Sequence, residues 1–452
     1  MKFKTFKGGI HPNDKKELTN KVPVTKHIPL DEIIIPLRQH IGAPCDPLVN
    51  VGDYVYMGQK IGESQSFVSA PVHSSVSGTV SAIKSHPHPG GGEAMCVFIK
   101  NDYEDKLDPS IKPFSLELNP KSIKDYVDSL DSADIVHKVK ESGITGMGGA
   151  AFPLHVKLSP PSDCKIDTVL INGAECEPYL TSDHRAMLER PQLIFAGALL
   201  VAKAVNAEKI IIAIESNKPD AIELFEEMAK DYPEITIGVL KTKYPQGSEK
   251  QLIQAVTKRQ VPSGGLPANV GLLVTNIDTC SAVTRAVVMN MPLIERNVTV
   301  SGDAVKSPKN LLVRVGVTFQ QLFDACDGFI EEPKKIVMGG PMMGIAQSTT
   351  EVPVIKGTSG ILAFTKPETY GKEEGTCIKC GKCVDVCPMR LMPNALSIFS
   401  RMEKVEKLND YHVMDCMECG SCTYICPQRR FIVQHIKHGK SVVKNSQQKG
   451  NK

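Results

Sequence analysis

Apolar and polar positions alternate in different rhythms along this chain, and each rhythm predicts a different unit. In residues 1–110 the apolar runs are short, as at Ile33–Ile35 and Val76–Ile83, and Gly and Pro punctuate them. That pattern predicts a small all-β barrel or sandwich. From about residue 120 to 295 the rhythm lengthens. Apolar strands at Thr168–Ile171, Lys209–Ile214, Ile235–Leu240 and Gly271–Val274 alternate with helical stretches at Leu193–Val205, Ala221–Lys230 and Glu249–Val256. Such βαβα order predicts a mostly parallel sheet with helices on both faces, where ligands bind beyond the carboxyl ends of the strands. Residues 297–330 predict two strands, a turn at Pro308 and a helix from about Thr318, and residues 335–365 return to strands around the loop Gly339–Gly344.

Composition narrows the classes little. A chain of 452 residues is too long for one core and implies roughly three or four domains. The net charge of +3 gives no electrostatic case for nucleic acid. No stretch approaches the roughly eighteen apolar residues of a membrane span; the run Leu193–Val205 is short and carries Lys203, so it reads as a buried helix. The first residues carry lysines but no apolar core, so no signal peptide is expected.

The cysteines change the picture. Eight of fourteen lie in CIKCGKCVDVCP, from Cys377 to Pro388, and CMECGSCTYICP, from Cys416 to Pro427. Both read C-x2-C-x2-C-x3-C-P, the spacing of a two-cluster module in which the fourth cysteine ligates the other cluster. One [4Fe–4S] is therefore expected on Cys377, Cys380, Cys383 and Cys426, and a second on Cys416, Cys419, Cys422 and Cys387. Zinc sites pair C-x2-C units instead, and disulfides need an oxidising compartment. The other six cysteines, Cys176 among them, read as small buried hydrophobes. His86 and His88 read as part of a solvated loop.

Four polar, glycine-bearing loops punctuate the α/β stretch. Gly143, Gly146, Gly148 and Gly149 crowd one loop, where backbone N–H groups can approach a phosphate or ring. The strand ending at Ile171 runs into NGAECEPYLTSDHR, and Glu175 and Glu177 there are costly unless they meet polar partners. YPQGSEKQLI, from Tyr244, starts a helix whose N-terminus suits an anion, and VTNIDT, from Val274, ends another strand. Together the four fit a nucleotide cofactor site.

These four stretches resemble those of the flavin subunit of respiratory complex I. Carried onto this chain, the resemblance implies FMN contacts at Gly146, Gly148, Lys157, Asn172, Glu175, Gly247, Val274 and Asn276, and NADH contacts at Phe152, Glu177, Tyr244 and Glu249, with Gly149 of the same loop a further cofactor-binding candidate. Glu177 is expected to orient the nucleotide and Lys157 to stabilise negative charge on the flavin, the two catalytic candidates. The chain departs from that pattern at Met147, Ala174, Tyr179, Ser248 and Thr275. Val49–Glu63 and Ala70–Ile83 resemble the lipoyl/biotinyl-like barrel-sandwich hybrid, but the hairpin Ser64–Ser69 lacks the carrier lysine. Residues 297–330 resemble the soluble-ligand-binding β-grasp (SLBB) domain.

With the opening FKGGIHP, this order over about residues 1–440 resembles the RnfC family, the NADH-side subunits of Rnf ferredoxin:NAD+ oxidoreductases. The resemblance implies a multidomain α/β protein. Its units are a barrel-sandwich β domain (1–110), a Rossmann-like parallel α/β flavin domain (111–296), a β-grasp domain with connecting strands (297–370), a two-cluster ferredoxin module (371–428) and a basic C-terminal helix or tail (429–452). It also implies FMN, two [4Fe–4S] clusters, NAD(H) as substrate, membrane subunits and indirectly ferredoxin as partners, and a peripheral place on the cytoplasmic face of the membrane. The basic tail, with Arg429, Arg430, Lys437, Lys440, Lys444, Lys449 and Lys452, reads as a solvated helix, with docking to an acidic partner or membrane as the alternative. A PduS-like cobalamin reductase shares the flavin and cluster parts, and a flavin-free electron wire is the reading from another class.

Overall fold

The computed structural model describes residues 3–366 and 373–450, the side chains of the last two excepted. The expected boundary at 370/371, Lys452 and the side chain of Lys449 lie outside them.

Four strands form the α/β unit: β1 (Thr168–Gly173), β2 (Lys209–Glu215), β3 (Ile235–Leu240) and β4 (Leu272–Asn276). All are parallel, in the order β3-β2-β1-β4. Both faces are covered, which is why the strands read as apolar runs. Val169, Ile171, Ile212 and Leu273 pack with Ile194 and Leu200 of α2 (Pro191–Ala204) and Ile277 and Val283 of α4 (Ile277–Met289). Leu170, Ala213, Leu240 and Val274 pack with Leu252 and Ile253 of α3 (Glu249–Thr257). After β1, α1 (Ser182–Glu189) leads directly into α2. The strand order reverses between β1 and β4, and there Asn172 and Asn276 stand opposite each other in register. A crevice at such a switch point is where open α/β sheets take ligands.

The β units share one core. Glu32–Pro36, Glu93–Asn101, Gly78–Pro87 and Tyr54–Val55 form one antiparallel sheet, and Asp46–Pro47, Lys60–Glu63 and Val72–His73 another. Ile33, Ile35, Val97 and Ile99 of the barrel pack with Val298, Val300, Val313 and Phe323 of a six-stranded sheet that carries the expected helix, Phe319–Ala325, capped by Thr318. That sheet ends in the hairpin β5 (Lys335–Met338) and β6 (Ile345–Gln347), whose tip is Gly339–Gly344. The lysine-less hairpin is docked: the carbonyl of Phe67 accepts from His155 Nε2 at 3.1 Å, beside the Gly-rich loop's one-turn helix Leu154–Lys157. His86 and His88 differ from the solvated loop expected. His88 is buried, its Nε2 lies 2.8 Å from the Arg38 carbonyl, and His86 Nε2 lies 3.0 Å from that of Glu351.

The cysteine module is an internal repeat. Lys379, Gly381 and Arg390 take positive φ, and so do their counterparts Glu418, Gly420 and Arg429. One-turn helices at Lys382–Asp385 and Ser421–Tyr424 follow, then Pro393–Arg401 and Ile432–Gly450. The last helix corrects the expectation of a separate tail. Its Ile432, Val433, Ile436 and Val443 are buried in the module's core, and Lys440 donates to the Cys416 carbonyl at 2.8 Å. Of the basic residues, Lys437 and Lys444 are exposed on the helix, whereas Arg430 is buried just before it.

Residues 4–10 leave the barrel and seal a seam. Lys4 bridges Leu240 in parallel, and Ile10 pairs with Tyr244 antiparallel, exchanging N–H···O bonds of 2.8 and 2.9 Å. Gly9 N–H donates to the Val386 carbonyl at 2.8 Å. Gly8 has φ +88°, and a Cβ there would stand 2.9 Å from the Cys387 carbonyl oxygen. The FKGGIHP opening thus straps the cysteine module to the α/β unit. Gly8→Ala adds both left-handed strain and this clash, so it should cost about 1–3 kcal/mol of stability. Thermal unfolding checks this: a melting temperature equal to the wild type's would contradict the strap.

Candidate functional site

At the switch point the backbone is held by side chains the chain supplies from several directions. Asn172 Nδ2 donates to the Gly247 carbonyl at 2.7 Å, drawing the turn before α3 over the end of β1. Cys176 Sγ accepts from Gly247 N–H at 3.3 Å, and burial pushes its thiol well up, so it acts as a neutral prop for that turn. Asn276 caps α4, accepting from the N–H groups of Asp278 and Thr279 at 3.0 and 3.2 Å, and donates to Asp183 at 2.7 Å. Lys157 Nζ lies 3.0 Å from Glu249 Oε1 and 3.2 Å from the Val274 carbonyl, so Lys157, Glu249 and Val274 meet over the sheet's end.

The Gly-rich loop closes the other side. Its ends are tied by a Thr145–Pro153 bridge and a 2.8 Å bond from Gly146 N–H to the Phe152 carbonyl. Met147 N–H donates to Thr279 Oγ1 at 2.9 Å, and Arg296 donates to the Met147 carbonyl at 3.0 Å. Gly148 lies against Asn276, while a Cβ at Gly149 would meet nothing within 4 Å. Gly148 and Gly149 are exposed, and that open side is the cradle a planar ring or phosphate needs. Phe152 is half-buried at the loop's end.

Glu175 and Glu177 part company. Glu175 is buried and accepts from Ser182 Oγ and from the N–H groups of Asp183 and His184 at 3.2, 2.8 and 3.4 Å. It caps α1 beneath the site. Glu177 faces the β5–β6 hairpin: Met342 N–H meets Oε2 and Met343 N–H meets Oε1, both at 3.0 Å. Gly340 is required there, since a Cβ would land 2.2 Å from Glu177 Oε2. Burial pushes the Glu177 carboxyl up to about 7, against the pull of those two N–H groups. Tyr244, expected beside NADH, is 1% exposed; its hydroxyl donates to the Cys419 carbonyl at 2.7 Å and lies 3.4 Å from Glu177 Oε1.

The cysteines gather crosswise. One cavity is lined by Cys377, Cys380, Cys383 and Cys426, another by Cys387, Cys416, Cys419 and Cys422. Among the described residues no three His, Cys, Asp or Glu are grouped to hold a single metal ion, whereas four thiols around each cavity suit a cuboidal cluster. The second set abuts the α/β unit. Besides Tyr244, Ser248 Oγ lies 3.5 Å from Met417 Sδ, and Gln251 Nε2 lies 3.3 Å from the Pro388 carbonyl. The first set faces away, with Ile378, Lys379, Cys380 and Lys382 exposed.

Comparison with known proteins agrees with this layout. Residues 139–285 match the model of the Nuo51 FMN-binding domain, 4–104 the RnfC barrel sandwich hybrid domain, 297–346 the SLBB domain and 376–429 the 4Fe-4S dicluster domain. The chain is 48% identical over 440 residues to the C-subunit of the proton-translocating ferredoxin:NAD(+) oxidoreductase complex of Clostridium ljungdahlii, covering 97% of this chain and 94% of that one. The chain belongs to the RnfC family. It is also 46% identical over 451 residues, the whole of both chains, to the C-subunit of the Na(+)-translocating complex of Acetobacterium woodii. With the C-subunit of the ion-translocating oxidoreductase complex of Rhodobacter capsulatus it shares 41% over 398 residues, 87% of this chain and 74% of that one. An NAD+-reducing [NiFe]-hydrogenase structure aligns over 70% of this chain and 66% of its own at 16% identity and a TM-score of 0.46, too loose to carry an argument. No helix among the described residues is long and apolar enough to cross a membrane.

In this RnfC the departures from the flavin-subunit pattern turn inward. Met147 is buried, so only its backbone serves the loop. Tyr179 holds φ +68° and packs edge-on against Phe364 at 5.4 Å. Ser248 turns to Met417 of the cysteine module. Sequence reading missed the buried bases beneath the site. Lys16 donates to the carbonyls of Glu177 (3.0 Å) and Leu180, Arg296 to those of Met147 and Lys356, and Lys356 to those of Pro71 and Gly143, both at 2.7 Å. Nothing local marks these residues, since each acts across a long stretch of chain. The crossed cavities make a direct prediction. Cys387→Ser should remove about half the bound iron and leave the set with Cys377 loaded, because the fourth ligand serves the other cluster. Iron analysis with electron paramagnetic resonance (EPR) checks this; loss of the Cys377 set's signal instead would show uncrossed ligation.

Proposed function

We propose that this RnfC is the peripheral electron-transfer subunit of a membrane Rnf complex. It exchanges hydride between NAD(H) and FMN, and single electrons between FMN and two [4Fe–4S] clusters, on the cytoplasmic face. The observation that carries this reading is the contact between two half-sites: Tyr244, on the turn that Asn172 draws over the sheet, is hydrogen-bonded to Cys419 of the second cysteine set. A bound flavin supplies the conversion between two-electron hydride chemistry with a nicotinamide and one-electron exchange with iron–sulfur clusters.

The chain's own residues prepare that conversion. The Gly146–Gly149 backbone, with Gly247 and the ends of β1 and β4, would hold the flavin, and the thiols of the two crossed sets the clusters. Lys157 is pinned between Glu249 and the Val274 carbonyl at the switch point, where its side chain would stabilise negative charge on the flavin. Phe152 offers an aromatic face at the loop's end. Glu177 would orient the nucleotide by accepting from sugar hydroxyls, which requires the Gly339–Gly344 tip to yield one of its two N–H bonds. The outward face of the first set, with Cys380 exposed between lysines, suits exchange with a partner subunit. The proton- and Na(+)-translocating relatives are nearly equally similar to this chain, which supports ion coupling residing in partner subunits.

Anaerobic reconstitution tests the reading. The chain should bind about eight irons and one FMN, and NADH should bleach both chromophores. The bleaching rate should rise with pH through about 7 as Glu177 ionises, since the carboxylate is the stronger acceptor for hydroxyls. Glu177→Gln should keep its iron and lose that rise along with most of the rate. A full iron complement with no flavin and no bleaching would make the chain a wire; an unchanged pH profile in Glu177→Gln would remove Glu177 from the nucleotide step.

A further inference from the structure

Tyr244 stands where the nucleotide side and the second cysteine set meet, yet its geometry does not suit a nucleotide contact. The side chain is buried among Ile10, Cys419, Cys176 and Met342. Its backbone is clamped by the two N–H···O bonds with Ile10. The hydroxyl has one proton and two acceptors in range. The Cys419 carbonyl at 2.7 Å is an ordinary strong bond, and Glu177 Oε1 at 3.4 Å is at the limit of one. Both Glu177 oxygens are already served by Met342 and Met343 N–H. The proton therefore belongs to the Cys419 carbonyl.

We propose that Tyr244 is a positioning residue for electron transfer: its hydroxyl, donated to the Cys419 carbonyl, seats the second cluster's loop against the flavin domain and raises that cluster's reduction potential. The proposal rests on assigning a cluster to Cys387, Cys416, Cys419 and Cys422. The direction follows from charge. Reduction adds an electron to the cluster, and the positive end of an O–H dipole beside a ligand's carbonyl favours the more negative state; hydrogen bonding around the ligands is one of the levers that set such potentials. Without the donor, the carbonyl's negative end stands uncompensated and the oxidised state gains.

The test is an EPR-monitored redox titration of the reconstituted full chain and two variants. Tyr244→Phe keeps the ring packing and removes only the hydroxyl. Ile10→Ala trims the packing beside the ring and keeps the hydroxyl. The expected result is a lowered midpoint for one of the two clusters in Tyr244→Phe, the other unmoved, with iron and FMN content as in the wild type and no shift in Ile10→Ala. Unmoved midpoints in Tyr244→Phe would overturn the proposal. So would an equal fall in Ile10→Ala, which would make packing the cause, or lost iron in Tyr244→Phe, which would make the hydroxyl a requirement of assembly. A wild-type chain that binds no iron would overturn both this proposal and the cluster assignment; iron bound normally with no shift would overturn this proposal alone.

Discussion

The seam between the α/β unit and the cysteine module is closed by backbone. Ile10 and Tyr244 exchange hydrogen bonds, Gly9 reaches the Val386 carbonyl, and Gly8 brings the strap against Cys387. Everything functional on either side depends on this register. A slip of the strap moves Tyr244 off Cys419 and the nucleotide turn away from the second cysteine set. Lys243 secures it from below: its ammonium lies over the Phe6 ring, 3.8 Å from the centroid, and donates to the Gly8 carbonyl at 2.8 Å. Burial lowers that lysine to about 8, so the strap is held by a group whose charge is costly there and is offset by carbonyl bonds and the ring face.

The same device recurs beneath the Gly-rich loop. Glycines leave a loop without side chains to hold its own shape, and a loop that presents N–H groups outward must have its carbonyls satisfied inward. Arg296 takes the Met147 carbonyl and Lys356 that of Gly143, joining it to the Pro71 carbonyl of the barrel, while Lys16 does the same for the Glu177 carbonyl in the loop after β1. Lys356 has no carboxylate partner among its hydrogen bonds, and burial lowers it to about 7. Lys16 comes from the N-terminal segment, Arg296 from a strand of the six-stranded sheet and Lys356 from the loop before its strand Gly360–Phe364, so the β units press their cations against the flavin domain. They are the scaffold that orients the loop.

Much of this was legible in the sequence because its signals are local. The βαβ rhythm placed the four parallel strands, and the repeat C-x2-C-x2-C-x3-C-P anticipated the crossed sulfur sets around the two cavities. Asn172 and Asn276 could be named from strand ends, since a polar residue closing an apolar strand needs a partner. What the sequence hid was long-range. Glu175 and Glu177, two residues apart in one motif, separate into a helix cap and a carboxyl gripped by a hairpin from the β-grasp sheet. Tyr244 turns from the nucleotide side to the cysteine side because Ile10, distant in sequence, pairs with its backbone. The C-terminal helix read as a solvated tail because its basic face dominates its composition, while its four buried apolar residues follow the module's internal repeat.

The flavin domain grips the second cysteine set and leaves the first facing outward. The most direct measurement removes each cluster in turn, with Cys419→Ser and Cys380→Ser, and follows the surviving cluster by EPR on anaerobic addition of NADH. NADH should still reduce the cluster left in Cys380→Ser, while the cluster left in Cys419→Ser should respond to dithionite but not to NADH. The reverse pattern would mean that the set with Cys377 lies next to the flavin, and the account built on the Tyr244 seam would fall.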